Sequence, residues 1–548
     1  MKQTILLLGL VPSISKTHSV RTQFLGLLLF FGISSSTFAA SISYTGASGG
    51  NWNVASNWGG GVLPGSLDDV TINGKTVVIQ SGDAITINRL LVQTSATTAG
   101  ILNITGGSLI INQTTGTASN DACFLMGGTI NNSAGTVSIT NAITSATGSG
   151  LRLGASAGAF KASSTFNNTG SGTLSVSTPT SGNGYPCIML NQNDAGYYPT
   201  FTIGGTITFT PNSGAATMAI DCGSTIGAII NGTGTLTAGT SENPVKYSFV
   251  RSNTGNSAAY LITIETGVTI NYYGSSACIQ VSTAGTTADK SATIINKGII
   301  NLGGTVRWPI YISSNNTLSA CTFENQGTIT ANGAFSTGIS GVIYIVGAGI
   351  SNFTNSGNLN FNTTADQTTE CSVVAVNAST VNATITNSGT INVGSSKDLT
   401  NAIVLGDSKS TFTNTGTINI ASGKIKGITG TGKAAFNNNT GAVINTSKTD
   451  EAGAFDSNTI ALTNNGTINY NFTTLNAIVE IVNEEKIVTP IKNAIVSNAN
   501  GELTVLSFSG KVITTKKVIV GESISLPSGV YIILLTSEKK SSVQKIII

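Results

Sequence analysis

Residues 384–394 read TITNSGTINVG, and the same phrase returns as TFENQGTIT (322–330), NFTNSGNLNF (352–361), TFTNTGTINI (411–420) and LTNNGTINYN (462–471). Each copy is an apolar residue, an asparagine, one free position, a glycine, and then a short run in which apolar and polar residues alternate. The glycines Gly298, Gly327, Gly357, Gly389, Gly416, Gly441 and Gly466 recur at 25 to 32 residues. Weaker copies at Gly107, Gly135, Gly170, Gly205, Gly234 and Gly267 keep the same beat, giving about 13 units of ~30 residues, a length typical of solenoid repeats.

Each unit carries a second apolar run, such as ACFLMGG, PCIMLNQ, YLITIE, PIYISS, VIYIVG, SVVAVN or AIVLGD. These runs are too short for helices. Their alternation and β-branched content predict two or three short strands per unit, joined by Gly and Asn turns. Stacked in parallel at ~4.8 Å, such units form a rod of roughly 60 Å. The expected fold is therefore all-β: a parallel β-helix, taken as a right-handed solenoid of about 13 coils.

The repeat also predicts what lies inside. Phe323, Phe353, Ile385, Phe412 and Phe436 should stack from coil to coil, and burial along the rod should drive folding. Asn325, Asn355, Asn387, Asn414 and Asn464, two residues before each glycine, should form an amide ladder at the bend. The glycine itself is expected to supply a positive φ. Trp52 and Trp58, in GNWNVASNWGGGVLPGSLDDVTING (50–74), are expected to cap the first coil, with sugar stacking as the lesser alternative. That segment, with Pro64 and Asp68-Asp69, resembles the opening of secreted, autotransporter-like β-helical surface proteins. Residues 467–480, together with the C-terminal residues beyond them, should cover the far end.

Composition narrows function. Only 9% of residues are charged, against roughly 25% in a typical soluble domain. The formal charge of +3 resides in the first 40 residues, as Lys2, Lys16 and Arg21 without an acid, so the remainder is neutral. No basic stripe is present to displace counterions from a nucleic acid. The one histidine, His18, also lies there, which removes His-based nucleophilic catalysis and His-ligated metals from the body. Residues 24–33, FLGLLLFFGI, follow those cations and precede SSSTFAA, so residues 1–40 read as a secretory signal peptide too short to remain as a span.

Chemistry is scarce between. A polysaccharide lyase or glycoside hydrolase needs clustered carboxylates. The acids here are scattered: Asp68-Asp69 in the cap, Asp450-Glu451 in an insert, and Asp366, Glu370 and Asp407 at differing offsets from the repeat glycines. Cys123, Cys187, Cys222, Cys278, Cys321 and Cys371 read as buried free thiols, with a Cys187–Cys222 bridge as an unfavoured alternative. Tyr197-Tyr198, Tyr272-Tyr273 and Arg307-Trp308 are the aromatics best placed to face outward, but their offsets differ and no single sugar platform is expected. The outward threonines look too irregular for a flat hydroxyl array that binds ice or crystals. No catalytic residue, metal or cofactor is assigned.

From residue 476 onward Lys and Glu return and the Asn-Gly repeat stops. Residues 500–548, NGELTVLSFSGKVITTKKVIVGESISLPSGVYIILLTSEKKSSVQKIII, read as alternating strands of a small β-sandwich. Gly510-Lys511, Leu526-Pro527-Ser528-Gly529-Val530-Tyr531 and the terminal Lys545 resemble the C-terminal sorting domain of the Bacteroidetes type IX secretion system. That resemblance implies export, passage across the outer membrane directed by residues 480–548, and an anchored or released surface product. The division is then 1–40 signal peptide, 41–100 cap and first coils, 101–475 repeat region and 476–548 sorting domain. The expected function is an adhesin-like or structural surface protein contacting glycans, matrix or cells. A polysaccharide-degrading enzyme and a passive stalk are the alternatives.

Overall fold

The computed structural model describes residues 40–472 and 488–547, except 96, 117–120, 144–147, 155–161, 179–185, 192–196, 212–217, 223–226, 255–259, 284–290, 304–307, 316, 333–339, 364–370, 378–380, 396–398, 429–431, 492–493, 499, 508–511, 528–529 and 537–540. The signal-peptide stretch before Ala40 is thus outside the described residues. So are Gly510-Lys511 and Ser528-Gly529.

Three parallel sheets of 14, 15 and 14 strands make the solenoid. Each coil contributes one strand to each sheet, as in Ile310–Ser314 (first sheet), Ala320–Asn325 (second) and Thr328–Ala331 (third). The strand number per coil, open from sequence, is therefore three. Stacked at ~4.8 Å, the sheets run for roughly 65 Å. One apolar run changes place: YLITIE, Tyr260–Ile264, belongs to the second sheet, and Ser248–Thr254 fills the first-sheet position of that coil.

Burial alternates strictly along most strands, and one continuous apolar core fills the coils. Register places Phe323, Phe353, Ile385, Phe412 and Phe436 directly over one another, and all are fully buried. The rings of Phe323 and Phe353 are nearly parallel and stacked with centroids 6.2 Å apart, those of Phe412 and Phe436 likewise at 4.8 Å. Each buried Phe contributes roughly 1.5–3 kcal/mol from area alone.

The turn from second to third sheet is where the asparagines act. Asn296 Nδ2 donates to Asn325 Oδ1, Asn325 to Asn355, Asn355 to Asn387, Asn387 to Asn414, Asn414 to Asn438 and Asn438 to Asn464, each at 2.8 or 2.9 Å. Asn438, three residues before Gly441, takes the rung that a strict two-residue spacing does not supply. A shorter ladder joins Asn132 to Asn168. It stops where Ile203 occupies the next register position.

The glycine explanation needs correction. Among the repeat glycines only Gly107, Gly170, Gly267 and Gly441 have positive φ. At Gly327, Gly357, Gly389 and Gly416 the reason is proximity: a Cβ would collide with the carbonyl oxygen of the repeat glycine one coil earlier. Glycine is needed there so that one turn can lie on the next.

Both indoles expected as a cap are buried, Trp58 Nε1 donates to the Trp52 carbonyl at 2.7 Å, and their rings lie 4.6 Å apart. Tyr44 meets Trp58 edge-on. This cluster stands beside Ser41–Ser43 and Gly50–Asn51, the first strands of two sheets, where the described residues supply no strand to the third sheet. At the far end Leu462, Ile468 and Tyr470 are partly buried against the core; residues 473–487 lie outside the described residues.

Residues 488–547 form a three-stranded and a four-stranded antiparallel sheet around Val488, Ile495, Leu503, Val505, Val518, Leu526, Tyr531, Ile533 and Leu535, a small β-sandwich. Tyr531 Oη donates to the Pro527 carbonyl at 2.9 Å, closing the Leu526–Tyr531 motif on itself.

An Asn387→Ala chain is expected to lose about 2–3 kcal/mol, because two rungs of the ladder disappear at ~1 kcal/mol each and a cavity is left in the corner, while Asn355 Nδ2 keeps the Thr390 carbonyl and Asn414 Oδ1 the Gly416 amide. Asn392→Ala, on the solvent side one strand later, should cost less than about 1 kcal/mol. Denaturant unfolding of the two variants measures the difference. Gly357→Ala should be as damaging as Asn387→Ala, while Gly441→Ala, with nothing within 4 Å of an added Cβ, should show φ strain alone.

Candidate functional site

Loops are distributed unequally around the coil. The second-to-third turn is tight, often just Asn-X-Gly, whereas the longer connections flank the first sheet. The outer face of the first sheet is therefore the one bordered by the longer connections on both sides, the usual setting for binding residues on a rigid scaffold.

Register assembles one outward column on that face: Phe124, Arg152, Met189, Asp221, Arg251, Gln280, Tyr311, Tyr344. Its neighbours interact. The Arg152 guanidinium lies 5.1 Å from the Phe124 ring centre and 3.5 Å from Asp121 Oδ2. Asp121 also accepts from the Ser149 amide and hydroxyl, at 2.8 and 2.6 Å. Three positions on from Arg152, Arg251 Nε and Nη2 donate to Asp221 Oδ1 and Oδ2 at 3.2 and 3.0 Å, the fork geometry that arginine is suited to. At the end of the column Trp308 stacks on Tyr344, with centroids 4.9 Å apart and planes 21° apart, and Tyr311 stands 5.7 Å from Trp308 and 6.0 Å from Tyr344. Tyr344 is buried, Trp308 and Tyr311 half-buried.

The aromatics singled out in the sequence fall in different places and share no platform, but one of them gains aromatic neighbours that the sequence does not single out. Trp308 joins Tyr311 and Tyr344, which the repeat offsets do not flag, because register across variable loops sets which strand positions meet. The tyrosine pairs do not join them. Tyr272 is inside the core with Oη donating to the Tyr247 carbonyl at 2.7 Å. Tyr273 faces outward on the third sheet, and Tyr198 is exposed beside Gly227. Arg307 lies outside the described residues.

The candidate acids take structural parts where they are described. Asp407 is buried in a turn, where Oδ1 accepts from the Lys409 amide at 3.0 Å. Asp450 caps the short helix Glu451–Ala454 through the Gly453 amide. Asp68 accepts from the Gly65 and Ala40 amides, and Asp69 from Asn88. Asp366 and Glu370 lie outside the described residues. Among the described residues no three His, Cys, Asp or Glu side chains converge as metal ligands, and no helix is long and apolar enough to cross a membrane.

All six cysteines are free and buried, as expected, with Cys187 and Cys222 unbridged. Burial pushes Cys187 up to about 12 and Cys321 up to about 11, and raises Cys123, Cys222 and Cys278 as well. Compared with family models, with curated proteins and with solved structures, the chain matches none.

The thiols give a directional pH prediction. Unfolded, they ionise near their ordinary value of 9.0, whereas the folded thiols stay protonated well beyond it. Their contribution to stability is complete below pH ~9 and falls above it, by up to about 1.4 kcal/mol per pH unit for each thiol. Cys278→Ala should flatten the alkaline limb of stability against pH. An aromatic disulfide reagent at pH 8 should leave the native chain unmodified and react once it is unfolded.

Proposed function

We propose that the chain is an exported surface protein, a rigid neutral rod that contacts glycans through the outer face of its first sheet. The observation that carries the reading is the half-open stack of Trp308, Tyr311 and Tyr344 in register with the Arg251–Asp221 pair, on the loop-bordered face. Aromatic faces accept the C–H faces of a sugar ring, while guanidinium and carboxylate groups bond its hydroxyls. Rigidity of the sheet spares the site an ordering cost on binding.

Export is supported by the leader FLGLLLFFGI and by the resemblance of residues 480–548 to a type IX sorting domain, here a sandwich in its described part. On this reading the secretion machinery is the partner of the C-terminal unit, and the outer-membrane surface or the medium is the destination. Neither nucleic acid nor a retained membrane span belongs to this reading.

The test uses the full chain on a panel of immobilised glycans and soluble polysaccharides, with binding and depolymerisation read together. Binding should appear without turnover, and Tyr311→Ala and Trp308→Ala should each weaken it about tenfold, or ~1.4 kcal/mol, with unchanged circular dichroism. Turnover of a polymer would establish the degrading-enzyme alternative, and silence in both readouts would leave the passive stalk. In a type IX-competent host, removal of residues 488–548 should strand the chain in the periplasm.

A further inference from the structure

The third sheet presents a second kind of surface. Its register stacks Thr136, Thr173 and Thr206 in one outward column, which continues through Thr235 and Thr269 across a join where Ile207 and Leu236 form the single register pair. Two residues along each strand, Ser138, Ser175, Thr208 and Thr237 make a parallel column. The outward threonines that look irregular along the chain are thus regular in space: in successive coils each sits at the same strand position after the turn, whatever the length of the loop between.

We propose that this face is a binding surface for ice. Hydroxyls repeat at ~4.8 Å along the rod and at ~6.7 Å across it, spacings of the order of the oxygen rows in hexagonal ice. Threonine offers a methyl and a hydroxyl at each lattice point, so that hydration water is both bonded and ordered. The side chains are open to solvent: Thr136, Ser175, Thr206, Thr208, Thr235 and Thr237 are all exposed, and a shallow depression lies between the coils of Thr206 and Thr235, lined by Gly204, Gly205, Gly234 and the four threonines.

Charge fits the same partner. Neither column carries an acid or a base, whereas ion pairs lie on the other two faces, Arg251–Asp221 on the first sheet and Glu265–Lys297 at the second. A neutral, regular face complements an uncharged lattice and gains nothing from an ionic one. The two columns also lack the aromatic rings that a sugar-binding site needs, Tyr273 lying outside them, which distinguishes them from the first-sheet site. Farther along, the second column turns to asparagine, and Asn392 Nδ2 donates to Asn360 Oδ1, Asn419 to Asn392, Asn445 to Asn419 and Asn469 to Asn445 at 2.7 or 2.8 Å. These amides are fixed in place, which extends the ordered surface toward the end of the rod.

The full chain, fluorescently labelled on surface lysines, is offered to a slowly growing ice hemisphere, and recrystallisation of polycrystalline ice is followed beside it. Incorporation into the ice and arrest of grain growth are expected. The double variant Thr206→Lys and Thr235→Lys, which sets two ammonium groups in the lattice, should lose both effects. Thr384→Lys, exposed on the second sheet, should keep them, and circular dichroism should show all three chains folded. Exclusion of the parent chain from ice would overturn the proposal, as would full activity of a folded double variant. Adsorption to crystalline cellulose or chitin without incorporation into ice would also overturn it, in favour of a sugar lattice. Because the glycan reading is tested at Tyr311 and Trp308, either can fail without the other.

Discussion

From Asn296 to Asn464 the buried amide ladder fixes the spacing and register on which the packing of that half of the solenoid depends. An asparagine inside a corner has a donor and an acceptor that must be used, since an orphaned buried amide costs ~1–3 kcal/mol. From Asn296 to Asn464 that demand is met by the equivalent residue of the adjacent coil. A slip by one residue would break the rung and turn every apolar side chain in the strand outward. The neighbouring glycine column makes the same demand sterically, because only a glycine lets the next turn sit on Gly327, Gly357 or Gly389. Chemical pairing and close packing therefore select one register.

With the corner pinned, the two strands beside it are regular and the strand opposite is free to carry irregular chain. Connections on either side of the first sheet vary in length without disturbing the second-to-third turn. This division explains why the first-sheet column mixes Phe124, Arg152, Asp221 and Tyr311, while the third-sheet columns repeat Thr and Asn. The inner ladder donates toward the C-terminal end and the outer Asn360–Asn469 ladder toward the N-terminal end, so their amide dipoles oppose across the sheet rather than adding.

Much of this architecture is legible in the sequence, since each repeat states its own corner. The Asn–X–Gly phrase leads to the parallel β-helix, the amide ladder and the aromatic stack through Phe323 and Phe436, and the second apolar runs lead to the buried thiols. What escapes is anything that depends on two coils at once. Three strands per coil cannot be read where loops obscure the strand count. Gly357 reads as a φ requirement because its collision partner, the Gly327 carbonyl, lies 30 residues earlier. Trp308, Tyr311 and Tyr344 look unrelated because a connection of varying length separates the last two, and offsets from the glycine count its residues while register does not.

The same reasoning bears on where binding energy can be held. On the first sheet, side chains can differ from coil to coil, so an asymmetric site such as an arginine fork beside an aromatic stack is built from unlike neighbours. On the third sheet the pairing that fixes register also enforces sameness: Thr206 and Thr235 sit at like positions because Ile207 and Leu236 pair beneath them. A surface made of like positions at ~4.8 Å recognises periodicity in its partner, and a surface of unlike positions recognises a molecule. Under the two proposals one scaffold serves two forms of recognition on different faces, and the chemistry that separates them is whether an outward residue repeats its neighbour or complements it.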